Sequence, residues 1–136
     1  MISLENELLT AFQVTKSDLE KGKRFQSRNG GRLEQILVNM GCLTEDDLIP
    51  LFSTVLNLPI FDASQWQDWK VDDKPLEELS YFKSKHALLL EAKEDNKRYI
   101  AAKDPLNLEL IEYVQNNNLD VEFELAKESD LQAYFY

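Results

Sequence analysis

The chain has 136 residues, of which 43% are hydrophobic and 10% aromatic, and its 25 acidic and 15 basic residues give a formal net charge of −10. This length fits one domain or two small subdomains, and the apolar content excludes a disordered chain. The acidic charge argues against binding to nucleic acid or anionic lipid, because both are themselves negatively charged.

Neither a membrane span nor an export signal is evident in the sequence. No apolar run approaches the ~20 residues that a transmembrane helix needs, and the N-terminus lacks the basic and apolar regions of a signal peptide. The single Cys42 cannot form an intrachain disulfide, which agrees with a reducing compartment. We therefore expect a cytoplasmic protein in which Cys42 is a small, semi-buried hydrophobic residue rather than a reactive thiol.

The first segment predicts an amphipathic helix over residues 1–12. Its inward-facing residues are expected to be Leu4, Leu8 and either Ala11 or Phe12. Thr15 is placed to cap a second helix that runs towards Gln26. Because this helix has a weaker apolar pattern, we expect it to be more exposed or shorter than its neighbours. Residues 28–31, which end in two glycines, are expected to form a loop.

A helical hairpin is predicted between Gly31 and Pro59. The apolar stripe of its first helix consists of Leu33, Ile36, Leu37 and Met40, and that of its second helix consists of Leu48, Leu51, Phe52 and Val55. Gly41 follows the first stripe, where a left-handed residue can end a helix. Thr44 and Asp47 have the spacing of a capping box at the start of the second helix.

This hairpin has a counterpart upstream. A shift of 29 positions superposes Thr15 on Thr44 and also brings Leu8 onto Leu37. Gly22 is an exception, because it occupies the position of Leu51. A single period is too short for a solenoid, which needs about three repeats, so we predict two helical hairpins packed into a four-helix cluster.

The second half of the chain begins with Ile60–Phe61, a short extended piece, and with the polar connecting segment Asp62–Lys74. Trp66 and Trp69 are expected to pack over the junction between the two halves. The alternative is an aromatic platform for a base or a partner. A short helix is expected from Pro75 to Tyr81, because proline is favoured in the first turn.

A β-hairpin is predicted from the strand-like runs Ala87–Ala92 and Arg98–Ala102, which a polar loop over residues 93–97 connects. Asp104–Pro105 has the pattern of an N-cap followed by proline at the first helical position. The buried stripe of that helix is expected to consist of Leu108, Ile111 and Val114.

The last part of the chain predicts a strand and a helix. Residues 119–125 alternate, with Leu119, Val121, Phe123 and Leu125 on a buried face and Asp120, Glu122 and Glu124 on a solvated face. Ser129 is expected to cap a final helix that contains Leu131, Tyr134 and Phe135. The predicted fold is α+β, with a tandem helical-hairpin bundle over residues 1–59 and a small mixed β-sheet covered by helices, in the order β-β-α-β-α, over residues 60–136.

No catalytic constellation is present in the sequence. Neither a P-loop nor a glycine-rich dinucleotide motif occurs, so nucleotide sites of those kinds are excluded. His86 is the only histidine and is expected to be structural, since no nucleophile or ligand set accompanies it. No Cys or His pair has metal-ligand spacing. We therefore expect a binding module without enzymatic activity, metal or cofactor.

Several short motifs, taken in order, carry a resemblance to a known family. They are Arg32–Leu33, Gly41, Leu43–Thr44, Leu48, the Leu58–Asp62 exit, Ala101–Asn107 and the aromatic ending Leu131–Tyr136. Together they resemble the N-terminal domain of the type II secretion assembly ATPase, general secretion pathway protein E, which is of the MshEN type. The resemblance covers nearly the whole chain. It implies a domain that precedes an ATPase engine and does not itself hydrolyse ATP.

The resemblance also implies a docking function. In the secretion family this domain binds the cytoplasmic part of the inner-membrane protein L and thereby recruits the motor. We expect the helical half to supply the apolar anchors, Leu4, Leu8 and Phe12. The chain would be peripheral to the inner membrane through this partner, would bind no nucleic acid, and would precede an ATPase domain if the sequence is a fragment.

The alternative within the same resemblance is a cyclic di-GMP receptor, as found among secretion and type IV pilus ATPases. Its motif begins with Arg-Leu-Gly, ends in Gln and is used twice. The second copy in this chain keeps Arg32 and Leu33 but has Glu34 in place of the glycine and Val55 in place of the glutamine, whereas the first copy keeps Gln26. Arg32, Leu33 and Gln26 would then bind the ligand. The charge of Glu34 beside two phosphates predicts weak binding or none.

Overall fold

The computed structural model describes residues 3–62, 64, 68–71 and 76–135. The chain forms two compact units, Met1–Asn57 and Leu58–Tyr136. The first unit is helical, and the second contains a four-stranded sheet together with helices. This arrangement confirms the predicted α+β class.

The described part of the first unit contains α1 (Leu4–Thr10), α2 (Lys16–Asn29), α3 (Leu33–Asn39), a 3-10 turn (Glu45–Asp47) and α4 (Leu48–Leu56). Helix α1 packs against α4, and α2 packs against α3. The core of this unit consists of Leu8, Val14, Leu19, Leu33, Ile36, Leu37, Leu43, Leu48, Ile49, Leu51 and Phe52. The pair of helical hairpins is confirmed. Helix α2 nevertheless includes Arg28 and Asn29, which we predicted to lie in a loop.

The repeat is visible in the helix boundaries, because α1 and α3 start and end at corresponding positions and both have 7 residues. The Thr15 hydroxyl accepts the Asp18 N–H at 3.1 Å at the start of α2. The Thr44 hydroxyl likewise accepts the Asp47 N–H at 3.2 Å, and the Asp47 carboxylate accepts the Thr44 N–H at 2.9 Å. The predicted capping box is therefore confirmed.

The turn after α3 confirms the role of Gly41. Its φ of 83° lies in the left-handed region, and its N–H donates to the carbonyl of Val38 while the N–H of Cys42 donates to that of Leu37. This pair of bonds is a Schellman motif. Met40 is 40% exposed, so its predicted place in the buried stripe is wrong. Because the Schellman motif turns the chain at Met40, the Met40 side chain lies at the surface and not in the core.

The second unit contains, in its described residues, β1 (Trp69–Val71), α5 (Leu76–Ser84), β2 (Ala87–Ala92), β3 (Arg98–Ala102), α6 (Leu108–Asn116), β4 (Glu122–Leu125) and α7 (Glu128–Phe135). The strands lie in the order β1-β2-β3-β4. Strands β1, β2 and β3 are antiparallel neighbours, and β4 is parallel to β3 after the crossover through α6. The predicted β-hairpin is confirmed at both of its strands.

Both faces of the sheet are buried. One face contains Phe61, Leu88, Leu90, Ala101, Ala126 and Leu131. The other contains Phe82, Ala87, Leu89, Ile100, Ala102 and Leu110. This explains why the start of β2 is continuously apolar, since a strand that is covered on two sides does not alternate.

Strand β1 lies inside the segment that we predicted to be a connection. Its Trp69 packs against Phe61 at 6.0 Å and Tyr99 at 5.0 Å between ring centroids, so this tryptophan belongs to the core of the second unit. Three residues are too few for a period to show in the sequence. Trp66 and Pro75, to which we also assigned roles, lie outside the described residues.

The start and orientation of α6 differ from the prediction. The carboxylate of Asp104 accepts the N–H of Leu106 at 3.1 Å, whereas Asn107 caps the helix by accepting the N–H of Leu110 at 3.2 Å. Asp104 therefore closes a turn before the helix. Leu110 is fully buried and Leu108 is 72% exposed. The predicted buried stripe through Leu108 is wrong, because the helix meets the sheet through Leu110.

Two further corrections concern the last strand and helix. Glu124, which we placed on a solvated face, is buried at 8% exposure opposite Ala101 of β3. That face is covered because Leu131 of α7 packs on it. Helix α7 begins at Glu128, so Ser129 lies inside the helix and is not its N-cap. The side chains of Tyr134 and Phe135 lie outside the described part.

Candidate functional site

Arg32 precedes α3 as its N-cap residue, and its side chain contacts two other side chains, those of Glu34 and Phe52. Its Nε lies 2.6 Å from a carboxylate oxygen of Glu34, with side-chain exposures of 39% for Arg32 and 6% for Glu34. Its guanidinium carbon lies 5.6 Å from the centroid of the Phe52 ring. The guanidinium is therefore fixed by an ion pair with a buried carboxylate and by a cation–π contact.

The other two residues predicted under the cyclic di-GMP alternative lie close to Arg32 in the chain. The side-chain amide of Gln26 donates to the carbonyl of Gly31 at 3.0 Å. Leu33 is buried and belongs to the core of the first unit. The Gln26 side chain therefore connects α2 to the loop that leads into α3, and Leu33 packs the start of α3 into the core.

The carboxylate of Glu34 is the feature of this site that bears on an anionic ligand. A buried carboxylate already occupies one edge of the Arg32 guanidinium, and a phosphate about 5 Å from that carboxylate would be repelled by about 3 kcal/mol at the effective dielectric constant of a protein surface. Glu34 places a negative charge next to the Arg32 guanidinium. Sequence reasoning recognised Glu34 as an obstacle but missed Phe52, because its position in the apolar stripe of α4 indicates only a core residue.

The residues predicted as partner anchors lie in and directly after α1. Leu8 is fully buried, whereas Leu4 and Phe12 are half-buried. Leu8 therefore supports α1 from inside and offers no surface to a partner. Glu5 in the same helix forms an ion pair of 3.1 Å with Lys23 of α2, which connects the two helices of this hairpin on the outside.

The remaining chemically reactive residues have structural surroundings. Burial raises the pKa of the half-buried Cys42 thiol, and the charge and hydrogen bond of Asp18 raise it further, so the thiol stays protonated near neutral pH. The ring Nδ1 of His86 lies 2.9 Å from the Glu128 carboxylate, which joins the turn before β2 to α7. Within the described ranges, no cluster of three or more His, Cys, Asp or Glu residues could hold a metal ion.

None of the helices, as far as the structure describes them, combines the length and the apolar character that crossing a bilayer requires.

The fold is thus that of a two-unit α+β module, with tandem helical hairpins followed by a mixed sheet covered by helices. The model of the MshEN domain matches residues 56–135, so this chain belongs to the MshEN domain family. The identification made from the sequence is confirmed. No curated protein matches the chain.

Solved structures extend the similarity over both units. The chain is 28% identical to a structure described as MshE with cdg, with a TM-score of 0.75, and the match covers 99% of this chain and 97% of that one. Two crystal forms of the N-terminal domain of XpsE match at 22% identity, with TM-scores of 0.57 and 0.65. These matches cover 98% of this chain and 95% and 94% of the XpsE chains, and they show a shared fold.

Proposed function

We propose that this chain is a non-catalytic docking domain of a type II secretion ATPase, which binds the cytoplasmic domain of an inner-membrane platform protein of the protein L type and recruits the motor. The observation that carries the proposal is the Arg32–Glu34 ion pair in a chain of the MshEN family. It favours protein contact over an anionic ligand as the role of the helical unit. The chain would then act in the cytoplasm, peripheral to the membrane through its partner and next to an ATPase domain.

The proposed contact surface is the outer side of α1 and the turn after it. Leu4 and Phe12 are half-buried, so each presents part of an apolar side chain while remaining packed in the unit. Buried apolar anchors usually supply most of the energy of an interface. The acidic surface would add attraction to a partly basic partner, which salt weakens over a screening length of about 8 Å.

The test measures binding of the partner's cytoplasmic domain to the whole chain and to the double variant Leu4→Ser with Phe12→Ser. We expect a loss of about tenfold or more. Leu108→Ser is the matched control, because Leu108 is an exposed leucine of the second unit and should leave the affinity unchanged. If the α1 variant folds and binds normally, the interface has been placed on the wrong surface.

A second candidate function is binding of cyclic di-GMP. It is favoured by the 28% identity to the structure described as MshE with cdg, and it is opposed by the buried carboxylate on Arg32. Titration calorimetry should detect no binding to the natural chain and a gain of affinity in Glu34→Gly, which removes the carboxylate paired with the guanidinium. Micromolar binding to the natural chain that Arg32→Ala abolishes would favour this function over docking.

A further inference from the structure

Helix α2 has the opposite charge to the rest of the chain. It contains five of the 15 Lys and Arg residues and only two of the 25 Asp and Glu residues. Its acidic residues, Asp18 and Glu20, lie in the first half of the helix, so residues 21–29 carry basic charge alone. A basic helix end is favourable beside the helix dipole. The dipole does not account for an aromatic residue exposed among these charges.

Phe25 lies in the middle of this basic segment and is 52% exposed. Lys21 and Arg28 stand four residues before it and three after it, which places both beside the ring on the same side of the helix, and Arg24 lies one turn before Arg28. The opposite side of α2 is buried through Leu19 and Gly22. We name the surface formed by Lys21, Arg24, Phe25 and Arg28 the α2 basic face.

The three cations of this face are not in ion pairs within the described part of the protein. Lys23, on another side of the helix, is paired with Glu5 at 3.1 Å. By contrast, Lys21, Arg24 and Arg28 are exposed and form no salt bridge with any residue that the structure describes. In a chain of net charge −10, three unpaired cations around an exposed ring form a surface that attracts negative charge.

We propose that the α2 basic face binds an acidic segment of a partner polypeptide. The guanidinium groups of Arg24 and Arg28 would each donate two hydrogen bonds to a carboxylate of the segment, and Phe25 would contact apolar side chains of the segment beside those carboxylates. Arginine and aromatic residues are the ones that most often dominate interface energies. This inference does not depend on the proposed docking of α1.

Two other occupants are less compatible with the charge distribution. An anionic bilayer is an extended negative surface, and it would repel the acidic remainder of the chain within the screening length of about 8 Å. One exposed phenylalanine also offers much less apolar area than the apolar face of an interfacial helix. A second copy of this chain is disfavoured because each copy carries a net charge of −10. A local acidic segment avoids both problems, because it contacts only the positive surface.

The test uses the full chain and two synthetic amphipathic peptides, one with a glutamate face and one with lysine in place of each glutamate. Fluorescence anisotropy at low salt should show binding of the glutamate peptide only. The variant Arg24→Gln with Arg28→Gln, and separately Phe25→Ser, should each weaken binding by about tenfold or more. The control Lys93→Gln with Lys127→Gln removes the same charge from exposed positions of the second unit and should leave the affinity unchanged.

Several results would overturn the proposal. Equal binding of both peptides, no binding of the glutamate peptide, or unchanged affinity in the arginine variant would each contradict it. Binding to phosphatidylglycerol vesicles without binding to the peptide would identify lipid as the occupant. Self-association in sedimentation that Phe25→Ser abolishes would identify a second copy.

Discussion

Gly22 gives a sharp test of the packing between α2 and α3. The repeat aligns Gly22 with the fully buried Leu51 of α4. The structure predicts that leucine would nevertheless be destabilising at position 22. A Cβ atom at position 22 would lie 3.2 Å from a terminal methyl of Leu33 and 3.2 Å from one of Leu37, so even one added carbon is closely packed.

The size of the effect follows from two opposing terms. Replacing glycine in a helix by leucine gains about 0.8 kcal/mol in helix propensity. Forcing extra carbons into a filled core costs about 1–3 kcal/mol, and more where the backbone must move. Because the first added carbon is already in tight contact, we expect Gly22→Leu to lower the free energy of unfolding by about 1–2 kcal/mol. Gly22→Ala should be nearly neutral, because both contacting atoms are the ends of flexible side chains.

In the assay, the chain is unfolded in increasing concentrations of urea, and pulsed alkylation of Cys42 measures the unfolded fraction at each concentration. This residue is the only cysteine and lies in the first unit, so its exposure reports unfolding of that unit. Both tryptophans lie in the second unit, and their fluorescence is the internal control. Ser27→Leu on the exposed side of α2 adds a leucine without overpacking and should change stability by less than about 0.5 kcal/mol. Equal or higher stability of Gly22→Leu would show that α2 and α3 are not in close contact.

Three further outcomes are expected. Thr44→Ala should cost about 1 kcal/mol in the same assay, because it removes the hydroxyl of the capping box, and an unchanged midpoint would contradict that. Burial raises the pKa of Glu124, with the charge of Glu122 adding to the effect. Because the pKa of Glu124 is higher in the folded state, its protonation stabilises the fold. This contribution is fully present below the pKa that Glu124 has in the unfolded chain, and it is lost as the pH rises through the pKa of the folded state. Glu124→Gln should therefore stabilise the second unit at about pH 7 and not at about pH 4, as judged by tryptophan fluorescence in urea, and a pH-independent effect would refute this. The purified chain should not hydrolyse Mg-ATP, since it has no P-loop, and turnover that follows the protein peak through repurification would contradict this.

The elements that the sequence predicted correctly depend on contacts between residues close in the chain. The caps at Thr15 and Thr44 join a hydroxyl to an N–H three residues later, and Gly41 ends α3 through bonds within one turn. The β2–β3 hairpin follows from two apolar runs and a short polar loop. Such local interactions are favourable wherever the segment is placed, so the pattern of residue types is sufficient to predict them.

The tertiary structure decided the features that depend on distant residues. In α6 the spacing of Leu108 and Ile111 is as regular as that of Leu110 and Val114, and only the position of the sheet selects Leu110 for the core. The charge of Glu124 indicates a solvated position, but the covered face of the sheet buries it.

The state of Arg32 was also decided by the tertiary structure. An arginine at the start of a helix is equally compatible with solvent, with a phosphate or with an internal partner. The Phe52 ring that lies 5.6 Å from its guanidinium comes from the next helix of the hairpin. Periodicity determines which residues share a face of a helix, but which face is buried depends on the neighbour against which that helix packs.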